Sequence, residues 1–190
     1  MPILFQNHLP SWHKSLSQRF FSKFDLKSGF WQVGIKESDK WKTAFSVPED
    51  HFEWNIMPFG LINAPSAFQH IMDETFEGME DFLKKYIDDI LIHSEDIPAH
   101  IKHLKMFLQR VKEKGIVISE SKMKLFKAMI DLLGYNIQVG SYQVIRRSLD
   151  FIDNFPDEIL DKTHLQSFLG SLNYVSKFLQ HCAQERKLLN

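Results

Sequence analysis

Lys84-Lys85-Tyr86-Ile87-Asp88-Asp89-Ile90-Leu91-Ile92-His93 is the stretch that decides the fold of this 190-residue chain. It places two adjacent carboxylates between two short segments, 82–86 and 90–94, whose bulky residues favour strands. Because neighbouring side chains on a strand point to opposite faces, Asp88 and Asp89 reach one site only if they lie in a turn. Carboxylate oxygens crowded at a hairpin tip favour a bound cation of the Mg²⁺ or Mn²⁺ kind. A solvated Asp-Asp turn is the alternative, since Asp is common in turns.

A third carboxylate, Asp25, follows the apolar run 20–24 and precedes a glycine-containing turn, which predicts that it stands at the end of a strand. If that strand lies beside the hairpin, three carboxylates converge on one spot. Such a set is sufficient for two metal ions about 3.5–4 Å apart, an arrangement that performs phosphoryl or nucleotidyl transfer. Asp25, Asp88 and Asp89 are therefore the candidate metal ligands and catalytic residues.

Three segments around these acids resemble the core motifs of a reverse transcriptase palm. They occur in the order of those motifs: Phe24-Asp25-Leu26-Lys27-Ser28-Gly29-Phe30, Met57-Pro58-Phe59-Gly60-Leu61-Ile62-Asn63-Ala64-Pro65-Ser66-Ala67-Phe68-Gln69 and Tyr86-Ile87-Asp88-Asp89. Their wording is closest to plant pararetroviruses of the caulimovirus and badnavirus kind, with gypsy-type long-terminal-repeat retrotransposons next. The resemblance extends from about Phe20 to about Leu179.

The order strand, helix, hairpin, helix, strand predicts a split βαβ layout. Hydrophobic periodicity and turn residues predict helices over 64–78, 98–115 and 162–179, and further strands over 41–47, 52–57, 116–119, 132–139 and 142–145. The resemblance implies an α+β fold, namely a ferredoxin-like polymerase palm whose antiparallel sheet is backed by helices. It also implies partial fingers and the start of a helical thumb.

The resemblance divides the chain into three parts. Residues 1–19 are expected to be an irregular lead-in that remains from the fingers, and 20–139 to be the palm with the catalytic motifs. Residues 140–190 would then connect the palm to the thumb and form the first thumb helix. The upstream fingers segment of the family, whose basic residues grip the incoming triphosphate, is not contained in this sequence.

The resemblance further implies roles for single residues. Asp25 and Asp88 are the expected principal ligands of two Mg²⁺ ions, with Mn²⁺ as a substitute, and Asp89 is an outer or adjusting ligand. Residues expected to contact the incoming nucleotide are Leu26, Ser28, Gly29, Phe30, Phe59, Gly60 and Lys122. Residues expected to contact primer and template are Tyr86, Leu133, Gly134, Tyr135, Gln166, Gly170 and Tyr174.

Several of these roles have structural alternatives. An aromatic ring at Phe30 would lie under the nucleotide sugar and exclude a 2′-hydroxyl, but Phe30 is equally consistent with a core residue. Lys122 would lie near the leaving phosphate, although most lone lysines point to water. Gly170 costs about 1 kcal/mol relative to Ala inside a helix, which close approach to a duplex or close helix packing could offset.

Composition limits the possible function classes. The formal charge is −1, so the chain as a whole is not the basic object that bulk electrostatic binding of nucleic acid requires. Between residues 102 and 127, bases outnumber acids, which suits either a phosphate backbone or a solvated helix face. The single cysteine, Cys182, excludes an internal disulfide and a cysteine-rich zinc site. His100 and His103 share a helical face and are expected to be solvated rather than zinc ligands.

The sequence predicts a soluble, intracellular protein with no membrane contact. No apolar run reaches the ~18 residues that span a bilayer, and the N-terminal region lacks the pattern of a signal peptide.

The leading hypothesis is a fragment of an RNA-directed DNA polymerase from a viral or retroelement polyprotein, which extends a primer 3′-hydroxyl with deoxynucleotides on an RNA or DNA template. Its expected partners are primed template, deoxynucleoside triphosphates, and protease and ribonuclease H segments of the parent polyprotein. The alternative is a non-catalytic nucleic-acid-binding remnant of an endogenous viral element that lacks the fingers. A cyclase on a palm-like fold is a third possibility, but it leaves the segment 57–69 and the helix around Gln166 unexplained.

Overall fold

A computed structural model describes residues 17–145, 158–159 and 161–175 of the chain. These residues belong to two compact units. One unit consists of residues 17–130 and 138–140, and the other includes the described residues 131–137, 141–145, 158–159 and 161–175. The expected lead-in over 1–19 lies largely outside the described residues, as do positions 176–179 of the expected last helix. The division into palm and thumb at residue 140 stays a prediction.

The described residues form the following strands and helices. The strands are β1 (Phe20–Asp25), β2 (Phe45–Ser46), β3 (His51–Phe52), β4 (Leu83–Tyr86), β5 (Asp89–Ser94), β6 (Lys124–Lys127), β7 (Met129–Leu132), β8 (Tyr135–Gln138) and β9 (Ser141–Val144). The helices are α1 (Ala64–Thr75), α2 (Ile97–Glu113) and α3 (Lys162–Val175). Within the described ranges, no helix is long and apolar enough to cross a membrane.

The main sheet has four strands in the order β4-β5-β1-β6. Its pairs β4–β5, β5–β1 and β1–β6 are all antiparallel. Since α1 precedes β4 and α2 follows β5, the chain runs strand, helix, hairpin, helix, strand. This order places β1 in the interior of the sheet, beside a strand of the central hairpin. The predicted α+β fold, a ferredoxin-like palm with a split βαβ sheet, is confirmed.

Both helices of this unit pack against one face of the main sheet. Phe24 of β1 and Ile90 and Ile92 of β5 are buried in one cluster with Phe68 of α1 and Phe107 of α2. Because side chains alternate along a strand, the neighbours of these residues point to the opposite face. The apolar pattern therefore determines which side chains of β1 and β5 point to the sheet face that the helices do not cover.

The boundaries of α2 follow from its capping residues. The Asp96 carboxylate accepts a hydrogen bond of 2.7 Å from the backbone N–H of Ala99, and Pro98 lies in the first turn. After the last turn, Gly115 adopts a φ of 67°, a left-handed conformation that suits glycine. The predicted helix ending at Gly115 is therefore confirmed in type and position.

Three strand predictions are wrong, including the one over 52–57, of which only Phe52 lies in a strand, β3. Residues 116–119 contribute a single bridge, Leu26 to Ile118, and the edge strand of the sheet is β6 instead. The segment 41–47 contributes only β2, because the turn Glu37–Thr43 is a 3-10 helix. Side chains there satisfy nearby backbone carbonyls, since Thr43 donates to Lys40 at 2.6 Å, and such local bonds compete with strand pairing.

The expectation of solvated histidines is also wrong. The side chain of His100 is fully buried and lies 2.7 Å from the Ser22 hydroxyl through Nε2 and 2.8 Å from the Ser94 hydroxyl through Nδ1. The same Ser94 hydroxyl lies 2.8 Å from Nδ1 of His103, whose ring stacks on Phe82. These histidines therefore join α2 to the sheet. The serines that face them could not be identified from helical spacing alone.

A separate three-stranded sheet has the order β7-β8-β9. Leu133 and Gly134 connect β7 to β8, and both have positive φ angles, of 49° and 80°. Two left-handed residues are typical of a tight hairpin turn. The predicted hairpin across Gly140-Ser141 is confirmed, with β8 and β9 as its strands.

Candidate active site

The pairing of β1 with β5 brings the predicted acids to one end of the main sheet. In this register Asp25 lies directly opposite Asp89, while Phe24 lies opposite Ile90. Asp88 occupies the turn between β4 and β5, and its carbonyl oxygen accepts a hydrogen bond of 3.1 Å from the backbone N–H of Leu26. Since Phe24 and Ile90 point into the helix-covered core, Asp25 and Asp89 share the other face of the sheet.

Gln69 holds the turn that carries Asp88. Its side-chain oxygen accepts a hydrogen bond of 2.8 Å from the backbone N–H of Ile87, and its amide nitrogen donates to Asp73 at 3.0 Å. Ile87 has a φ of 51°, an unusual conformation for a β-branched residue. The side chain from α1 therefore supports a strained turn. Gln69 closes the second sequence motif, but the sequence did not assign it a role.

Burial and like charge raise the pKa values of two of the three acids. Burial is the largest cause for Asp25, followed by a hydrogen bond with the Asp89 carboxyl, and Lys23 and Lys122 act in the opposite direction. Burial is also the largest cause for Asp88, with the charge of Asp89 next and Lys122 opposing. Buried carboxyls whose pKa values are raised beside a further acid form a site that favours a cation.

Asp88 has an oxygen with unused hydrogen-bonding capacity. Its Oδ1 is buried and has no hydrogen-bond partner among the described residues. This oxygen lies against Gly29, where a Cβ atom would approach it to 1.9 Å. Glycine thus leaves the space that the carboxylate occupies. The sequence assigned Gly29 to the nucleotide through its backbone N–H and did not foresee this contact.

The donor set fits a divalent metal ion that prefers oxygen. The buried Asp88 oxygen without a partner and the raised pKa of Asp25 beside the Asp89 carboxyl are features that such an ion would relieve. The side chains nevertheless do not form a ready-made cluster, because Asp25 faces Asp89 whereas Asp88 turns to Gly29. Across residues 17–145, 158–159 and 161–175, no three His, Cys, Asp or Glu side chains are grouped to hold a metal. The ligand assignment stays a prediction.

Lys23 is a further charged residue at this site that sequence reasoning missed. It precedes Asp25 by two positions on β1 and so projects to the same face. Its Nζ lies 2.9 Å from Oδ1 of Asp89 and 3.9 Å from Oδ1 of Asp25. The two-residue spacing from the acid was the available signal. This spacing points to an ion pair only when Asp89 is known to lie across the strand pair from Asp25.

The predicted nucleotide-contacting residues of the first motif surround a short 3-10 helix, Gly29–Gln32. Ser28 precedes it with a φ of 53° and is exposed, whereas Leu26 is buried. Gln32 fixes this turn, because it donates to the carbonyl of Lys27 at 2.6 Å and bonds both backbone groups of Val117. No sequence pattern indicated these hydrogen bonds, because Val117 is distant from Gln32 along the chain.

An aromatic pair joins the first and second motifs. The ring of Phe30 meets Phe59 edge-on at 5.4 Å between centroids and Phe68 at 5.0 Å. Phe59 is 63% exposed, while Phe68 belongs to the core. Gly60 follows with a φ of 94°, which favours glycine. Phe30 therefore combines the two readings left open by the sequence, since it packs on the core and reaches an exposed ring.

Lys122 lies beside the acids, in the 3-10 turn Glu120–Lys122. Its charge lowers the pKa values of both Asp25 and Asp88. Tyr86 lies opposite Asp89 in the β4–β5 register, and burial raises the pKa of its phenol. The structure therefore brings Lys122 from one edge of the sheet and Tyr86 from the other edge close to the predicted catalytic residues.

The other predicted primer and template residues belong to the second unit. Leu133 and Gly134 form the β7–β8 turn, and Tyr135 begins β8 with its side chain buried. Gln166 and Gly170 are exposed on α3, and an added Cβ at Gly170 would meet nothing within 4 Å. Tyr174 also lies within α3. Close helix packing among the described residues therefore does not account for Gly170. The roles of these residues stay predictions.

Comparison with known proteins agrees with this architecture. The family model for "Reverse transcriptase (RNA-dependent DNA polymerase)" matches residues 5–137. The enzymatic polyprotein of cauliflower mosaic virus (strain D/H) is 44% identical over 172 residues, which cover 90% of this chain and 26% of the polyprotein. That of figwort mosaic virus (strain DxS) is 40% identical over 187 residues, or 96% of this chain and 28% of the polyprotein.

Solved structures with the same fold include a foamy viral protease-reverse transcriptase in complex with double-stranded DNA. It has a TM-score of 0.76 and 27% sequence identity, and the match covers 90% of this chain and 30% of that one. The chain thus spans about a quarter of the length of the curated relatives it matches. The motifs, the sheet order and these matches agree: the chain belongs to the reverse transcriptase (RNA-dependent DNA polymerase) family, and is of the plant pararetrovirus kind.

Proposed function

We propose that this chain provides the palm active site of an RNA-directed DNA polymerase, which adds deoxynucleotides to a primer 3′-hydroxyl on an RNA or DNA template. The observation that carries the proposal is the pairing of Asp25 with Asp89, with Asp88 in the adjoining turn. Family membership supports the same reaction, and a solved relative binds double-stranded DNA. Because its curated relatives are enzymatic polyproteins and a solved relative is a protease-reverse transcriptase, we expect this chain to act within a polyprotein that also carries protease and ribonuclease H segments.

Asp25 and Asp88 are assigned as the principal ligands of two divalent ions, Mg²⁺ or Mn²⁺, and Asp89 as an outer or adjusting ligand. When bound, such ions lower the pKa of an attacking hydroxyl and stabilise the charge on transferring and leaving phosphates. The orphaned Oδ1 of Asp88 supports its assignment as a ligand.

The turn after Asp25 is suited to hold the triphosphate. We assign the backbone N–H groups of Ser28 and Gly29 to the phosphates and the carbonyl of Leu26 to a metal ion, because exposed N–H groups in tight turns bind anions. Gln32 keeps this turn in place through its bonds to Lys27 and Val117. Lys122, whose charge already acts on Asp25 and Asp88, adds a positive group beside the departing phosphates.

Phe30 is assigned as the residue that selects deoxynucleotides. Its contacts with Phe59 and Phe68 limit the movement of its ring, and a fixed ring excludes a 2′-hydroxyl more strictly than a mobile one. Gly60, with its positive φ and open surroundings, lets the backbone approach nucleotide and template. Primer and template would contact Tyr86 beside the acids, the turn of Leu133, Gly134 and Tyr135, and the helix residues Gln166, Gly170 and Tyr174.

Primer extension tests this proposal. Purified chain is incubated with Mg²⁺, deoxynucleoside triphosphates and a primed RNA or DNA template, beside the variants Asp88→Asn and Asp81→Asn. Asp81 is an exposed acid just before β4, so its replacement removes the same charge away from the site. We expect extension by the wild type and Asp81→Asn and a loss of at least about 100-fold for Asp88→Asn.

Two outcomes would contradict the assignment. Equal extension by the wild type and Asp88→Asn would remove Asp88 from the catalytic centre. Absence of extension by all three proteins, under conditions in which primed template is bound, would instead support a non-catalytic nucleic-acid-binding role.

A further inference from the structure

The ammonium group of Lys23 occupies the space between two of the acidic groups assigned to the metal site. It reaches Asp89 at 2.9 Å and Asp25 at 3.9 Å. Lys23 is the diagonal cross-strand neighbour of Asp89, because Asp89 pairs with Asp25, and a long side chain spans that diagonal. The contact is thus a consequence of strand register and does not depend on a flexible loop.

Burial makes this contact specific. The Lys23 side chain is only 16% exposed, and buried lysines require a charged or hydrogen-bonding partner. The two carboxyls have the complementary need, since they are close enough to share a hydrogen bond. One ammonium therefore offsets part of the negative charge of this pair of acids, and a divalent cation would offset all of it.

We propose that Lys23 is a tethered cation that holds the place of a metal ion between Asp25 and Asp89, and that a divalent ion binds only after the ammonium has moved away from this pair. Lys23 then sets the concentration of divalent ion at which the site fills. This inference rests on the proposed metal site. It adds a residue that acts on metal binding through the ligands and does not itself contact the reacting atoms.

Metal affinity distinguishes this role from a purely structural one. Binding of Mn²⁺ is followed by the electron paramagnetic resonance signal of the free ion, at constant pH, for the wild type, Lys23→Met and Lys40→Met. Lys40 is a matched control, because its side chain is 18% exposed and it pairs with Glu37. We expect the dissociation constant for Mn²⁺ to fall about tenfold in Lys23→Met, since a competing charge is removed, and to change less than about twofold in Lys40→Met.

Unfolding temperature provides a second readout. With EDTA, Lys23→Met leaves the acids without a counter-ion, so we expect its melting temperature to be about 2–4 °C below that of the wild type. With saturating Mn²⁺, this difference should disappear. An equal decrease under both conditions would show that Lys23 only contributes packing and would overturn the proposal. The variant Lys23→Arg, which keeps the charge, should resemble the wild type in both assays.

The remaining outcomes are also decisive. Unchanged or weaker Mn²⁺ binding in Lys23→Met, while Asp25→Asn abolishes binding, overturns the role of Lys23 and leaves the metal site intact. Absence of Mn²⁺ binding by the wild type overturns both the metal site and this inference. If Lys23→Met does not fold, Lys23→Gln replaces it, and the ¹³Cε resonance of Lys23 in the wild type is followed during Mg²⁺ addition. A resonance that does not shift while Mg²⁺ saturates the protein would refute displacement.

Discussion

Replacement of Gly29 by alanine tests the geometry of the acidic site with the smallest possible change. The new Cβ would lie 1.9 Å from Oδ1 of Asp88, 2.9 Å from its Cγ and 3.0 Å from Cζ of Phe68. Contacts shorter than 3.0 Å essentially do not occur, so the carboxylate oxygen has to move by at least about 1.1 Å, the difference between 1.9 and 3.0 Å. The buried Phe68 ring limits the alternative, which is a movement of the Gly29 backbone.

A displacement of that size has a large expected effect on catalysis and a small one on stability. Misplacement of a catalytic group by about 1 Å can cost about 100-fold in rate. Overpacking costs about 1–3 kcal/mol of stability. About 0.4–1 kcal/mol of this loss of stability is offset, because alanine restricts the unfolded chain more than glycine does. This gain applies because Gly29 does not have a positive φ.

The assay is primer extension at saturating Mg²⁺ and nucleotide, with urea denaturation of the same protein samples. Gly34→Ala is the matched control, since its Cβ would meet nothing within 4 Å and its φ is also not positive. We expect Gly29→Ala to lose about 100-fold in rate while it remains folded, and Gly34→Ala to retain wild-type activity. Activity of Gly29→Ala within a few-fold of Gly34→Ala would refute the argument that Gly29 makes room for the Asp88 carboxylate.

Three other predictions concern pH, turn geometry and substrate choice. Burial, followed by the charges of Lys84, His103 and His100, lowers the pKa of His93 from 6.5 to about 4. As the pH falls, His93 therefore takes up a proton in the unfolded chain before it does so in the folded protein. The free energy of unfolding should accordingly fall by about 3 kcal/mol as the pH is lowered from 6.5 to 4. Urea denaturation across this range measures the loss, which His93→Leu should reduce, although the raised pKa values of Asp25 and Asp88 act in the opposite sense below pH 5. Gln69→Ala leaves the N–H of Ile87 without its side-chain partner, so the free energy of unfolding from urea denaturation should fall by about 1–3 kcal/mol and primer extension should decrease as well. Unchanged stability would contradict a role in holding the turn. Phe30→Ala should increase incorporation of ribonucleotides relative to deoxynucleotides by about tenfold or more, and an unchanged ratio would return Phe30 to a purely structural role.

The fold and the positions of the three acids at the strand end and the hairpin were predictable, because local and global signals agree there. Bulky, strand-favouring residues on both sides of Asp88 and Asp89 indicated a hairpin, and the apolar run before Asp25 indicated a strand that ends at an acid. The structure confirms both elements, with β1 ending at Asp25 and β5 beginning at Asp89. The limits of α2 were equally readable, since Pro98 and Gly115 act through their own backbone, whereas the side-chain cap from Asp96 was not predicted.

The contacts that the sequence did not reveal depend on residues that are distant along the chain. Ser22 and His100 are 78 positions apart, and the Gln32–Val117 bonds join residues 85 positions apart. Helical spacing showed that His100 and His103 share a face, but it could not show that serines of β1 and β5 lie opposite them. Lys23 was overlooked for the same reason, because its partner Asp89 becomes a neighbour only through strand register.

The pairing of β1 with β5 also affects when the acidic centre can form during synthesis. Asp25 and Asp89 are 64 positions apart, and closing such a loop costs entropy before the contact stabilises anything. A nascent chain that has emerged only as far as α1 carries Asp25 in an unfinished sheet, exposed to water. The acidic centre is complete only after β5 has emerged and has paired with β1. Binding of a metal ion at this centre would therefore show that these two strands have paired.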